Sequence, residues 1–305
     1  MKEVTRQWRR GTWRKIRTNA DLYLMMVPFL GMFFLFTVVP VVISVFLSFT
    51  DFNLLQFPDF VGWDNYIQLF LEDKVFIKSL TNTLLFAVVT GPVSYFLSLF
   101  VAWLINDLNP KLRTIFTFMF YAPSISGNML FIWRVILSGD MYGWANGFLM
   151  NLGLINEPIK FLTDPRYSLA CIMVVQLWMS MGAGFLSFIA GLQGVDKSLH
   201  EAGAMDGIRN RWQELIYVTL PSMGPQLMFG AVMQISATFA AGNICIALAG
   251  NPSTDYSANT IITHIIDYGT TRYELGYASA MATFLFLMMV LTNSIIRRIL
   301  KRYTN

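Results

Sequence analysis

Side chains suited to metal binding or nucleophilic catalysis are few in this sequence. There are two histidines, His200 and His264, and two cysteines, Cys171 and Cys245. Their separations match neither a metal-ligand spacing nor a disulfide framework. Both cysteines fall within apolar runs, where packing is their expected role. The sequence therefore predicts no catalytic residues and no metal in this chain.

One stretch approaches the phosphate-binding loop of nucleotide hydrolases. Residues 191–198 read GLQGVDKS. The phosphate-binding loop has four residues between its two glycines and a lysine directly after the second, so the spacing here is wrong. We interpret the stretch as the end of an apolar run followed by a turn, and we expect no cofactor in this chain.

A polar segment, residues 195–221, carries the densest local signals and reads VDKSLHEAGAMDGIRNRWQELIYVTLP. Ser198 and Glu201 have the spacing of a capping box, which predicts the start of a short helix. The Asp-Gly pair at 206–207 is a turn signal, and Asn210 is suited to cap a second helix. The sequence therefore predicts two short helices joined by a turn.

The first of these helices offers a surface to another protein. Ala202, Gly203 and Ala204 leave one face almost bare, which permits close backbone approach. Leu199 and Met205 supply apolar anchors beside it. These features favour docking into a partner's groove. The alternative is a solvated connector with no partner.

The elements that must position this segment are apolar. The chain has 305 residues, of which 55% are hydrophobic and 13% charged, against roughly 25% charged in soluble domains. A bilayer core needs about 20 apolar residues per helix. Six runs of that length occur, at about 22–49, 79–105, 115–137, 168–192, 223–248 and 275–296. The sequence predicts an all-α integral membrane protein with six transmembrane helices, in which a basic tail (1–21) precedes one membrane domain (22–305).

Basic residues are distributed unevenly between the two sides that these runs define. Sixteen of the 22 lysines and arginines lie in the two tails and in the links after the second and fourth runs. Because positive charge marks the cytoplasmic side, both termini are expected there. The first run is expected to be an uncleaved anchor. The net charge of +4 thus reflects topology, and no nucleic-acid partner is expected.

The 195–221 segment resembles the EAA motif of ABC importer permeases. That motif has Glu-Ala-Ala, then Gly four residues after the second Ala, then Ile-x-Leu-Pro. Six residues fit it: Glu201, Ala202, Asp206, Gly207, Leu220 and Pro221. Gly203 replaces the second alanine and Val218 replaces the isoleucine. The stretch between the glycine and Leu-Pro is one residue longer than the commonest spacing.

Two further stretches, residues 60–86 and 142–165, are typical of the sugar-importer branch, so nearly the whole chain resembles maltose-transporter-type permeases. The resemblance implies a type I importer permease fold in the lipid of a prokaryotic cytoplasmic membrane. It implies three kinds of partner: a second permease subunit in a heterodimer, two ATPase subunits that hold ATP and Mg, and an extracytoplasmic sugar-binding protein. The motif residues would then couple ATP hydrolysis on the partners to transport, and this chain would not itself be an enzyme.

A sugar path needs hydrogen-bond partners for hydroxyls and flat aromatic faces for the rings. Polar and aromatic residues at mid-depth in the runs are therefore candidates: Tyr121, Ser124, Asn128, Gln176, Trp178, Gln234 and Thr238. For each polar residue, hydrogen bonding between helices is the alternative. Arg134, near the outer end of the third run, is expected to reach the interface or else to serve an outer gate.

Other functions are also compatible with parts of the sequence. A permease for a polyol, glycerol phosphate or amino acid would share the EAA motif. A secondary transporter driven by an ion gradient would usually carry Asp or Glu within the membrane, and the six runs contain neither. A membrane enzyme is least favoured, because no intramembrane cluster supports catalysis.

Overall fold

The computed structural model describes residues 18–127 and 129–304. Within them the fold is helical, apart from turns and one isolated antiparallel bridge between Thr50 and Phe60. The predicted all-α class is confirmed. The principal helices are α1 (Ala20–Phe33), α2 (Val39–Leu47), α3 (Lys74–Asn106), α4 (Pro110–Ile125), α5 (Met129–Ile136), α6 (Trp144–Asn151), α7 (Ser168–Met179), α8 (Ala183–Gln193), α9 (Lys197–Met205), α10 (Arg211–Glu214), α11 (Gly224–Phe239), α12 (Gly242–Ala249), α13 (Ile261–Ile266) and α14 (Leu275–Thr304).

Several of these helices are candidate membrane spans. In the described part of the chain, four are long and apolar enough: Ala20–Leu47, Lys74–Asn106, Ser168–Gln193 and Leu275–Leu300. The first joins α1 to α2 through a π-helical turn, and the third joins α7 to α8 across residues 180–182. Two bent helix pairs raise the number to six if each pair is one span. A multi-pass membrane protein is therefore confirmed.

The third apolar run does not form the continuous span 115–137 that the sequence predicts. α4 ends at Ile125 and α5 begins at Met129, with a bend of 83° between them. Ser126 is extended (φ −100°, ψ 101°) and is followed by Gly127, and glycine costs a helix ~1 kcal/mol relative to alanine. Tyr121 and Ser124 lie on α4, before this break. Asn128 lies outside the described residues.

The fifth run, predicted as one span over 223–248, is also divided. α11 ends at Phe239 and α12 begins at Gly242. The helical stretch 211–222 meets α11 at 85°, so Pro221 lies before this bend and not at the start of α11. Pro225 instead occupies the first turn of α11, where its missing N–H leaves no hydrogen bond unmade.

α3 lies at the centre of the helix bundle. It packs against α7, α8 and α11, and Phe185 and Phe188 of α8 are fully buried in that core. A second cluster joins α3, α13 and α14 through Phe76, Ile261 and Met281, all fully buried. α2 packs against α14, whereas the side chains of α1 are exposed. α3 therefore contacts most of the elements described below.

Candidate functional site

The linking segment, residues 195–221, begins with a different cap from the one predicted. α9 is capped by Asp196, whose carboxylate accepts a 3.0 Å hydrogen bond from the Ser198 amide. The hydrogen bonds from the backbone and hydroxyl of Ser198 lower the pKa of the Asp196 carboxyl. The predicted capping box of Ser198 with Glu201 is therefore wrong, because an aspartate two residues upstream caps the helix first.

α9 ends in a glycine turn. Gly207 has φ +93°, a conformation that is strained for residues with a Cβ. The amides of Gly207 and Ile208 donate to the carbonyls of Ala204 and Gly203 at 3.3 and 3.0 Å. These two bonds form the Schellman pattern of helix ends. The predicted turn at 206–207 is confirmed.

The second short helix, α10, is capped as predicted. The Asn210 side chain accepts a 2.8 Å hydrogen bond from the Gln213 amide. The helix continues as a π-helical turn over Leu215–Thr219 and ends in Leu220–Ser222. Leu220 packs against the core that α3, α8 and α11 share, so it holds the segment to the bundle.

Gly203 faces the rest of the linking segment. It is buried, and a Cβ there would lie 3.0 Å from the side chains of both Ile208 and Val218. The expected bare docking face is therefore wrong at this residue, because its missing side chain is needed for packing within the segment. The rest of the predicted docking surface is exposed, namely Leu199, Ala202, Ala204 and Met205.

A cleft of about 680 Å³ opens between α9 and the helical stretch that follows it. Five of the predicted coupling residues line this cleft: Ala202, Gly203, Asp206, Gly207 and Pro221. Glu201 is exposed on α9 and is not part of the lining. The segment thus presents an exposed helix beside a concave cleft, a shape suited to a protein partner.

The side chain of Gln234, a predicted path residue on α11, forms hydrogen bonds between helices. It is 4% exposed, and its amide donates to the Ser180 carbonyl at 3.0 Å and to the Ser98 hydroxyl at 3.3 Å. Thr238, 3% exposed, donates to the carbonyls of Gln234 and Ile235 within its own helix. The sequence did not indicate a role for Ser98. The run 79–105 contains several serines and threonines, and no pattern distinguishes Ser98 from the others.

The breaks in the third, fourth and fifth runs approach one another. A Cβ on Gly182 would lie 3.7 Å from Cβ of Ser124, whose hydroxyl donates to the Tyr121 carbonyl. Ser180, in the same break as Gly182, accepts from Gln234 of α11. α12, which follows the fifth-run break, packs against α5 and α7. Non-helical backbone at membrane depth is tolerated where protein or a water-filled cavity surrounds it. The polar residues at and beside these breaks are called the polar layer below: Ser98, Ser124, Ser180, Gln234 and Thr238.

The remaining path candidates lie elsewhere. Trp178 is 39% exposed and packs edge-on against Trp133, with ring centroids 5.6 Å apart. Gln176 is buried at 9% exposure. An apolar cleft of about 480 Å³ between α3, α11 and α14 is lined by Gln234 and Thr238 but by none of the other candidates. The structure therefore does not bring the whole set into one cavity, and Arg134 is exposed at the end of α5.

A second polar cluster was not expected from the sequence. Asp73 caps α3, and its carboxylate lies 2.8 Å from Nε2 of His264 on α13 and accepts a 2.9 Å bond from the Tyr277 hydroxyl on α14. Partial burial of Asp73 opposes its ionisation, but the bonds from His264, the Phe76 amide and Tyr277 outweigh burial and lower its pKa to about 2. His264 lies 191 positions from Asp73, a separation at which no local pattern signals a contact.

Comparison with known proteins gives consistent matches. The model of the family described as binding-protein-dependent transport system inner membrane component matches residues 94–305. The probable ABC transporter permease protein YesP of Bacillus subtilis is 32% identical over 289 residues, 92% of this chain and 90% of that protein. The lactose transport system permease protein LacF of Rhizobium radiobacter is 30% identical over 225 residues, 72% of this chain and 73% of that protein.

A solved structure has the same fold. It is a bacterial ABC transporter involved in the import of the acidic polysaccharide alginate. One of its chains superposes with a TM-score of 0.79 at 23% identity, over 97% of this chain and 100% of that chain.

Proposed function

Because this chain belongs to the family of binding-protein-dependent transport system inner membrane components, we propose that it is the permease subunit through which an ATP-driven importer moves a sugar or oligosaccharide. The chain is a transport component and not an enzyme. An extracytoplasmic binding protein delivers the substrate to it. The membrane is a prokaryotic cytoplasmic membrane, six spans cross it, and both termini lie in the cytoplasm.

The observation that carries the coupling part of this proposal is the linking segment. α9 presents exposed Leu199, Ala202 and Met205, and the positive-φ turn at Gly207 fixes its direction. Energy must reach this chain from outside, since its sequence lacks a phosphate-binding loop. Two ATPase subunits, which hold ATP and Mg, dock on α9 and the adjoining cleft. Glu201, Asp206, Pro221 and the other motif residues form or support that contact.

The sugar part of the proposal is supported by the relatives and by the polar layer. LacF is named as a lactose transport protein and is 30% identical to this chain. Serine, threonine and glutamine side chains of the polar layer offer hydrogen bonds to hydroxyls, and Trp178 offers a ring for stacking. Rearrangement at the helix breaks frees these groups for substrate during transport. A second permease subunit completes the path, so the functional unit is a heterodimer of permeases.

Reconstitution tests the proposal. The chain is co-expressed with the second permease, the ATPase and the binding protein of the same transporter, and the complex is purified through a tag on this chain. ATPase subunits are expected to co-purify. Proteoliposomes are expected to take up one member of a saccharide panel that includes lactose only with ATP and binding protein present. Uptake by this chain alone, driven by a proton or sodium gradient, would overturn the proposal.

A further inference from the structure

Arg211 joins the linking segment to the end of α3. Its guanidinium carbon lies 4.7 Å from the centroid of the Trp103 ring, and its guanidinium forms an ion pair with the Asp107 carboxylate. Trp103 is buried, at 8% exposure, in the last turn of α3, and Asp107 is the residue at which α3 ends. One side chain therefore contacts two residues at this end of the central helix.

Aromatic packing reinforces the same contact. The Trp212 ring lies 4.6 Å from Trp103, and it stacks on Phe100 at 15° with centroids 6.3 Å apart. Both side chains of the Arg211–Asp107 pair are about half exposed, so their ion pair alone contributes little. The cation over a buried indole and the offset rings supply additional, directional attraction. Together they fix α10 against α3.

α10 also contacts α9. Nδ1 of His200 on α9 lies 2.5 Å from a carboxylate oxygen of Glu214 on α10. Glu214 and Arg211 are three residues apart on one short helix, so they are neighbours on its surface. Side-chain contacts therefore connect α9, α10 and the end of α3 without interruption.

α3 extends from this contact into the polar layer. Ser98 accepts from Gln234 of α11, and a Cβ on Gly91 would lie 3.8 Å from the Thr238 side chain. α3 also packs against α7 and α8, which flank the fourth-run break. The helix that ends beside Asp107 thus also contacts residues proposed to line the sugar path.

We propose that Arg211 is a positioning residue that transmits movement of α9 to α3 through its contacts with Trp103 and Asp107. This inference rests on the proposed coupling function of the linking segment. Neither Trp103 nor Asp107 belongs to the EAA-like residues, and Asp107 precedes Arg211 by more than a hundred positions. The contact gives ATP-driven docking a route into the membrane that does not depend on substrate binding.

The test follows a cysteine in α3 within the complete transporter. In a background with Cys171→Ala and Cys245→Ala, Gly91→Cys places a thiol beside the cleft that Gly91 lines. Its maleimide reaction rate is measured in proteoliposomes with and without ATP plus vanadate, and ATPase co-purification is measured for every variant. Arg211→Ala, Arg211→Asp, Asp107→Arg and the charge swap Arg211→Asp/Asp107→Arg are compared with Arg209→Ala, a nearby exposed arginine.

The transporter with native Arg211 and the Arg209→Ala control are expected to change their reaction rate when ATP and vanadate are added. Each single variant at Arg211 or Asp107 is expected to lose this change while still recruiting ATPase subunits. The charge swap restores the ion pair but not the cation over Trp103, so it is expected to recover only part of the change, whereas Arg211→Ala recovers none. If Arg211→Ala fails to fold, the charge swap and Trp103→Leu, which keeps an apolar side chain, test whether this contact transmits movement from α9 to α3.

An unaltered ATP-dependent change in the Arg211→Ala and Trp103→Leu variants would overturn the inference, provided that Gly207→Val abolishes the change. An absence of any change with Arg211 intact, or of ATPase subunits in that preparation, would overturn the proposed coupling function and this inference with it. The two failures are therefore distinguishable.

Discussion

The side-chain amide of Gln234 donates a 3.0 Å hydrogen bond to the backbone carbonyl of Ser180, at the break between α7 and α8. The same carbonyl also accepts a 2.9 Å bond from the Gly182 amide. Gln234 adds a bond from another helix, α11, so two spans are joined at their polar layer, where water is scarce. The same side chain is a candidate for the sugar path.

Gln234→Ala is expected to lower both the stability and the transport rate of the complex. Loss of an interhelical hydrogen bond costs about 0.6 kcal/mol on average, and removal of the amide also removes a candidate contact for sugar hydroxyls. Thermal unfolding in detergent and saccharide uptake per folded transporter are measured. Gln193→Ala, exposed at the end of α8, is the control. Unaltered uptake per folded transporter would contradict the path role and favour helix packing.

Gly207→Val is expected to abolish uptake and weaken ATPase co-purification. A β-branched residue at φ +93° costs at least about 1 kcal/mol, and no atom lies within 4 Å of its added Cβ, so the penalty is one of backbone strain. Glu201→Lys is expected to give the same loss by reversing a charge on α9, where the ATPase subunits are proposed to dock. Gly31→Val, in helical backbone with open space around it, should remain active. Normal co-purification and uptake in both variants would make the linking segment a simple connector.

A cysteine at Asn151 is expected to react with a membrane-impermeant maleimide added to intact cells. Asn151 is exposed at the end of α6, and the distribution of basic residues predicts that this loop lies outside. Because Cys171 and Cys245 are free, both are first replaced by alanine. Lys197→Cys, at the start of α9, should react only after the cells are permeabilised. The reverse pattern of labelling would exclude the six-span topology.

Asp73→Asn is expected to lower the free energy of unfolding at pH 7 by on the order of 1 kcal/mol. A hydrogen bond to a fully buried charge would contribute somewhat more, but Asp73 is only partly buried. Asparagine still caps α3 through its side-chain oxygen, so the variant isolates the role of the charge. The native carboxyl has a pKa of about 2, against about 3.9 unfolded.

The pH dependence follows from that lowered pKa. The stabilisation by ionised Asp73 is complete above about pH 4 and is lost as the pH falls through about 2. The difference in unfolding temperature between native protein and Asp73→Asn should therefore be steady from pH 7 to 5 and shrink towards pH 3. Asp64→Asn, an exposed acidic position, provides the comparison. A difference that grows as the pH falls would refute the assignment of charge.

The sequence by itself determined the features that depend on local chemistry. Long apolar runs predicted membrane helices because lipid cannot satisfy backbone hydrogen bonds. The turn at Gly207 and the cap at Asn210 were equally predictable, since each depends on one residue's own conformation or its bond to a neighbour three positions away. The resemblance to ABC importer permeases was also visible in the sequence of the same segment, residues 195–221.

Only the tertiary structure decided where the runs break and which side chains meet. Apolarity alone does not distinguish one continuous helix from α11 followed by α12, because both are equally soluble in lipid. The helix ends are set instead by packing of α12 against α5 and α7 and by bonds such as Gln234 to Ser180. Gly203 seemed free for a partner until the fold placed Ile208 and Val218 against it. The contact of Arg211 with Trp103 and Asp107 forms because the folded bundle brings together positions about a hundred residues apart, a proximity that no local pattern encodes.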